Sequence, residues 1–175
     1  IMDQNTLRSK VQEWKADGKK IVSTSGCFDL IHPGHVAYLE EAKQKGDILI
    51  VLLNADCSVR TLKGPSRPVV GEADRASVVA GLEAVDAVCI FEELTPCGMI
   101  LELQPDLIVK GGDYAGAHIP EMDAAAVYGG KVEYVSVQEG KSTTNLIRKL
   151  IQAEKQNDKN MIKAKSHKPA QCKPC

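Results

Sequence analysis

Apolar residues in this chain recur in two alternating patterns. Leu7, Val11 and Trp14 follow a helical period behind a polar start at Asn5 or Thr6, and Gly18 supplies a stop, which predicts a short leading helix. A β-branched run over 20–25 enters Gly26 and then a loop. From Gly34 the period turns helical again through Val36, Leu39 and Ala42, with Lys43 and Lys45 in the last turn and Gly46 as its cap. Residues 48–53 are continuously apolar, as a short strand covered on both faces should be.

The alternation continues. Residues 60–71 hold cations, two prolines and two glycines without a period and read as a surface loop. A helix is expected from Glu72, with Val78, Val79 and Leu82 facing the core, then a strand over 87–91. Thr95 and Pro96 have the chemistry of an N-cap and first helical residue. Strands over 107–110 and 132–135 flank a Gly111-Gly112 break and a helix over 121–128, and a last helix follows Ser142. Strands separated by helices require crossovers and parallel pairing. The expected fold is α/β, a Rossmann-like doubly wound sheet of about five parallel strands with helices on both faces, its ligand crevice beyond the strands' carboxyl ends. Residues 26–35, 54–67 and 110–114 should converge there.

Residues 1–19 are read as a leading helix behind an appended Ile1, residues 20–152 as one domain, and residues 153–175 as a Lys-rich, disordered tail. The chain has 175 residues, 43% of them hydrophobic and only 4% aromatic, so the core must be aliphatic. A formal net charge of −1 gives no global attraction to nucleic acid or anionic membrane, so an anionic ligand needs locally placed cations. No apolar run is long enough to span a bilayer and the start lacks the pattern of a signal peptide, hence a cytoplasmic expectation. Cys27, Cys57, Cys89 and Cys97 lack paired spacing and read as reduced thiols, while Cys172 and Cys175 form a lone CxxC without the second ligand pair of a zinc site.

The chemistry concentrates in GCFDLIHPGH, residues 26–35. A helix N-terminus already favours phosphate through its unpaired N–H groups and dipole. His32 and His35, three residues apart, add two directed donors, and Gly34 and Gly26 remove side chains where phosphate would approach. The pair lacks a third ligand and the i, i+4 spacing of a helical zinc site, so no metal ligand set is assigned.

This motif resembles the H-x-G-H signature of the cytidylyltransferase-like nucleotidyltransferases. LNADCSVRTLKGPSRPV, DRASVVAGLEAVDAV, PDLIVKGGDY and EGKSTTN extend the likeness to the adenylyltransferases of ADP-heptose synthesis, over residues 20–152. The resemblance implies transfer from ATP, carried with Mg²⁺, to D-glycero-β-D-manno-heptose 1-phosphate, giving ADP-heptose and pyrophosphate for lipopolysaccharide core or a related surface glycan. It implies a stand-alone form, with the kinase a separate protein, and a homo-oligomer; the charge balance predicts neither a nucleic-acid nor a membrane partner.

By the same resemblance His32, His35 and Lys63 are catalytic. Gly26, Cys27, Phe28, Gly34, Arg75, Lys110, Gly111, Ser142, Thr143 and Thr144 bind the nucleotide. Asp29, Asn54, Asp56, Arg67, Gly112, Asp113 and Tyr114 border the acceptor substrate. A cytidylyltransferase for glycerol 3-phosphate or another alcohol phosphate is the nearest alternative. Those enzymes carry Arg-Thr shortly before G-I-S-T-T, where this chain has Ser136-Val137 before EGKSTT. A noncatalytic nucleotide-binding module is the alternative from another class.

Overall fold

In a computed structural model, residues 1–112, 116–135 and 143–166 are described, with side chains through 157. Two compact units divide the chain, Ile1–Lys141 and Ser142–Cys175.

The first unit is built on five parallel strands, β1 (Ile21–Gly26), β2 (Ile48–Asn54), β3 (Ala87–Phe91), β4 (Leu107–Gly111) and β5 (Lys131–Val135). Their order is β3-β2-β1-β4-β5, so the first three strands step outward in one direction and β4 returns to the other side of β1. That reversal opens a crevice between β1 and β4 at their carboxyl ends. The expected strands and their order of alternation with helices are all present.

Strand alternation sends successive side chains into two apolar layers. Ile21, Ile50, Leu52 and Ile108 pack against helices α1 (Gln4–Ala16), α5 (Cys97–Leu103) and α6 (Pro120–Tyr128) through Leu7, Val11, Ile100 and Ala124. Val22, Leu49, Val51 and Val109 face helices α2 (Pro33–Lys43) and α4 (Glu72–Ala80) through Leu39, Ala42, Ala76 and Val79. Both faces of the sheet are thereby covered, which explains its continuously apolar strands.

Several boundaries differ from the periodicity. Asp3 caps the leading helix, accepting the N–H groups of Asn5 and Thr6 at 2.9 and 3.0 Å. The stretch expected to be a loop over 60–71 starts inside helix α3 (Asp56–Lys63), whose two turns around buried Val59 are followed at once by Gly64 and Pro65. In α4 the inward residues are Arg75, Ala76 and Val79, which leaves Val78 51% exposed rather than in the core. Helix α5 starts one residue later than Thr95 and Pro96 implied, with Pro96 as its cap.

The second unit contains helix α7 (Thr143–Ser166), which continues past the expected limit at Gln152. Residues 152–166 contain neither Gly nor Pro and include the helix formers Ala153, Glu154, Lys155 and Gln156, so nothing local breaks the helix.

Gly46 is not the cap of α2, which is Gln44. A Cβ on Gly46 would lie 2.6 Å from Val22 Cγ2 and 2.9 Å from the Lys20 carbonyl oxygen. Gly46→Ala is therefore expected to destabilise the fold by about 1–3 kcal/mol through overpacking. Gly98→Ala, inside α5 with open space around it, should stabilise by up to about 1 kcal/mol. Urea denaturation of both variants checks the contrast.

Candidate active site

The histidine motif spans the turn from β1 into α2. His32 is the N-cap residue and Pro33 opens the helix, putting His35 one turn inside. The His32 N–H donates to His35 Nδ1 at 3.3 Å, and the two imidazoles stack with centroids 3.8 Å apart and planes 22° from parallel. Burial and the neighbouring His32 push the His35 pKa down to about 4. At neutral pH His35 is uncharged. Because its Nδ1 accepts, its proton sits on Nε2, which is left as a donor.

Phe28 supports this pair. It is 6% exposed, its backbone takes a left-handed φ of 44°, and its ring centroid lies 5.5 Å from that of His35. A Cβ at Gly26 would come within 3.1 Å of the Phe28 ring, so this glycine makes room for the aromatic ring.

Asp29 has a different task from the acceptor contact expected of it. Its carboxylate receives Arg67 Nε at 2.5 Å, the Val69 N–H at 2.9 Å and the Val70 N–H at 3.0 Å. Burial alone would raise its pKa, but these hydrogen bonds and the Arg67 charge outweigh it and hold the group below the usual carboxylate range. Asp29 and Arg67 thus fasten the loop that follows α3 to the histidine loop. Lys63 ends α3, exposed, and makes no ion pair among the described residues. Lys63, Arg75 and Arg67 all lie near enough to the Cys27 thiol to oppose the rise in its pKa that burial causes. Three cations from distant sequence positions do converge on the loop after β1.

Arg75 was expected to grip phosphate, yet its side chain is wholly buried. Its Nε donates to the Val70 carbonyl at 2.9 Å, Nη1 to the Cys27 carbonyl, and Nη2 to the Asn54 carbonyl at 2.8 Å and to Asp56 Oδ1 at 2.7 Å. The guanidinium therefore joins the histidine loop, the end of β2, the start of α3 and the segment before α4. Neither a phosphate contact nor a surface pair with Glu72 or Asp74 fits this geometry. Asn54 and Asp56 belong to the same scaffold: Asn54 is 5% exposed and donates from Nδ2 to Ser58 Oγ at 3.3 Å, and Asp56 holds Arg75.

On the other side of the crevice, Lys110, the next-to-last residue of β4, donates to Ser25 Oγ at 3.2 Å and to Glu121 Oε1 at 2.7 Å. Gly111 and Gly112 follow at the same edge, half-buried. Glu121 carried no motif signal, and only its helical phase hinted at burial. Tyr38, also missed, pairs its hydroxyl with Thr24 Oγ1 at 2.6 Å and donates to the Val109 carbonyl at 2.9 Å, tying α2 to both crevice strands. Thr143 and Thr144 open α7 in the second unit. Asp113, Tyr114 and Ser142 lie outside the described residues. Two surface hollows, of about 430 Å³ beside Asp56, Arg60 and Glu72 and about 460 Å³ beside Lys20, Tyr128 and Lys131, are lined by neither histidine.

The chain that carries this histidine pair is similar to known proteins. The cytidylyltransferase-like family profile matches residues 23–166. The chain belongs to the cytidylyltransferase-like family. Among its relatives is the bifunctional protein HldE of Geotalea uraniireducens, 49% identical over 150 residues, which are 86% of this chain and 31% of that protein. HldE of Geobacter metallireducens is 48% identical over 153 residues, 87% of this chain and 31% of the relative. The chain thus spans about a third of the length of these relatives. A crystal structure described as the lipopolysaccharide core biosynthesis protein from Thermoplasma volcanium GSS1 superposes with a TM-score of 0.58 at 27% identity, covering 71% of this chain and all of that one.

Two outcomes are expected of this cytidylyltransferase-like site. Arg75→Ala should lower stability by about 3–5 kcal/mol, because it removes the partner of Asp56 and of the Cys27, Asn54 and Val70 carbonyls together. A phosphate ligand would instead change nucleotide affinity with little effect on melting, so thermal melts beside ATP titrations separate the two. The second concerns pH. The folded His35 pKa of about 4 lies below the ordinary histidine value of 6.5, so between those limits the unfolded chain binds a proton that the folded chain does not. The His35 contribution to stability should therefore fall as pH drops from 6.5 to 4 and be lost below it, where the depressed Asp29 carboxylate takes over the pH dependence. Urea melts of His35→Gln across that range should lose much of the slope.

Proposed function

We propose that the domain is an adenylyltransferase that joins ATP to D-glycero-β-D-manno-heptose 1-phosphate, releasing pyrophosphate and forming ADP-heptose. The observation that carries this reading is the stacked His32–His35 pair at the start of α2, beside the β1–β4 crevice, with Lys63 nearby. The similarity to HldE over most of this chain and the lipopolysaccharide core biosynthesis neighbour support the acceptor class. Work in the cytoplasm and assembly into a homo-oligomer belong to the same reading.

The acceptor's phosphate oxygen is already ionised near neutral pH, so attack on the α-phosphorus needs no general base. Catalysis then rests on in-line placement and on stabilising the negative charge as pyrophosphate leaves. His35 donates through Nε2 without adding charge to a stacked pair. Lys63, exposed at the end of α3, supplies a full cation, and the Asp29–Arg67 clasp fastens the loop that follows it to the histidine loop. ATP would bring Mg²⁺. Asp29 and Asp56 are committed to arginines, so phosphate oxygens and water suit the ion better than a carboxylate cage does. Bound there, Mg²⁺ would neutralise phosphate charge.

Pyrophosphate release measured for ATP, CTP and GTP against heptose 1-phosphate, glycerol 3-phosphate and other sugar phosphates tests the assignment. ATP with heptose 1-phosphate should dominate. A preference for CTP with an alcohol phosphate would move the activity elsewhere in the family, and binding without turnover for every pair would favour a noncatalytic module. His32→Ala and His35→Ala should each lower kcat by about 10²–10³-fold, the loss typical of removing one transition-state donor. Their folding should change far less.

A further inference from the structure

The sheet's alternation separates the charges at the crevice. Thr24 faces α2 and bonds Tyr38, whereas Ser25 faces the opposite layer, where Lys110 reaches it. Lys110 and Glu121 are almost out of water, with side chains 11% and 7% exposed and Nζ 2.7 Å from Oε1. Glu121 stands in the first turn of α6, just after Pro120. The pair therefore sits at the carboxyl ends of β1 and β4, in the layer away from α2 and its histidines.

Stability is a poor reason for such a pair, since the cost of desolvating two charges rivals their attraction and apolar substitutes often serve as well. Geometry is a better one. A lysine carries its charge on a flexible four-carbon stem and lacks the planar fork that orients arginine. Here a carboxylate from α6 and a hydroxyl from β1 hold the ammonium from two sides. We propose that Glu121 is a positioning residue that fixes Lys110 at the edge of the β1–β4 crevice to receive an anionic group of the nucleotide. This inference rests on the reading that nucleotide binds in that crevice, and Glu121 itself touches no substrate.

A double-mutant cycle tests it on the full 175-residue chain, with ATP affinity measured by calorimetry in Mg²⁺ and kcat and KM measured alongside. Glu121→Gln should weaken ATP binding and raise its KM by about 10-fold, the scale of one misplaced charged hydrogen bond, while kcat at saturation changes less than about threefold. In a Lys110→Met background the same substitution should have no further effect, because Glu121 acts only through Lys110. The double variant also removes both charges together and should fold. Unchanged or tighter ATP binding in Glu121→Gln would overturn the proposal, as would an equal loss in both backgrounds. Should Glu121→Gln not fold, Glu121→Asp keeps the charge but retracts it by one methylene: a raised KM at normal melting temperature supports the positioning role, and wild-type KM contradicts it. If ATP binds but heptose 1-phosphate is not adenylylated, the substrate assignment fails while the cycle is still read on binding. If no nucleotide binds the wild type, both fail.

Discussion

One buried guanidinium organises the carboxyl edge of this sheet. Backbone leaving a parallel sheet runs out of ladder partners, and here the carbonyls of Cys27, of Asn54 at the end of β2 and of Val70 take side-chain donors instead. Arg75 answers all three and takes Asp56 as its counter-ion. Arginine suits the task because its planar, permanently charged fork serves several acceptors at once without titrating. The histidine loop, the end of β2 and the loop carrying Arg67 are thereby set relative to one another before any ligand arrives.

On that base the site divides its charges by function. Asp29 is consumed in fastening one loop to another, and Arg67 with it. Lys63 stays exposed, while His35 offers a donor kept neutral by burial and by the neighbouring His32. Under the proposed function, a chain of net charge −1 would meet a highly charged ligand through locally placed cations rather than through its overall charge. Lys110, held by Glu121, places a further cation in the opposite layer, so an anion above the strand ends would meet donors from both sides of the sheet.

Much of the fold was legible because short aliphatic runs and helical periods alternate without ambiguity, and a chain so patterned has few topologies open to it. The histidine motif was legible for a different reason: its residues are contiguous, so the local order of strand, glycine, histidine pair and helix start already contains the geometry. Roles that depend on burial were not legible. Arg75 looks like any helix-surface arginine until α4 is given its phase, and Asp29 looks like a free acid at a strand end until the loop 38 to 41 residues later is folded onto it. Glu121 is invisible as a partner because nothing near it in sequence names Lys110. Helix α3 escaped notice since only Val59 among its apolar positions is buried, leaving no repeat for a period to show.

The central claim is that Arg75 frames the site while His32, His35 and Lys63 meet the triphosphate. A crystal structure with a non-hydrolysable ATP analogue and Mg²⁺ tests it most directly. The phosphates should lie against both imidazoles and the Lys63 ammonium, with Arg75 still bonded to the carbonyls of Cys27, Asn54 and Val70. Phosphate bound instead to Arg75, or lodged in the hollow between α3 and α4 away from the histidines, would contradict it.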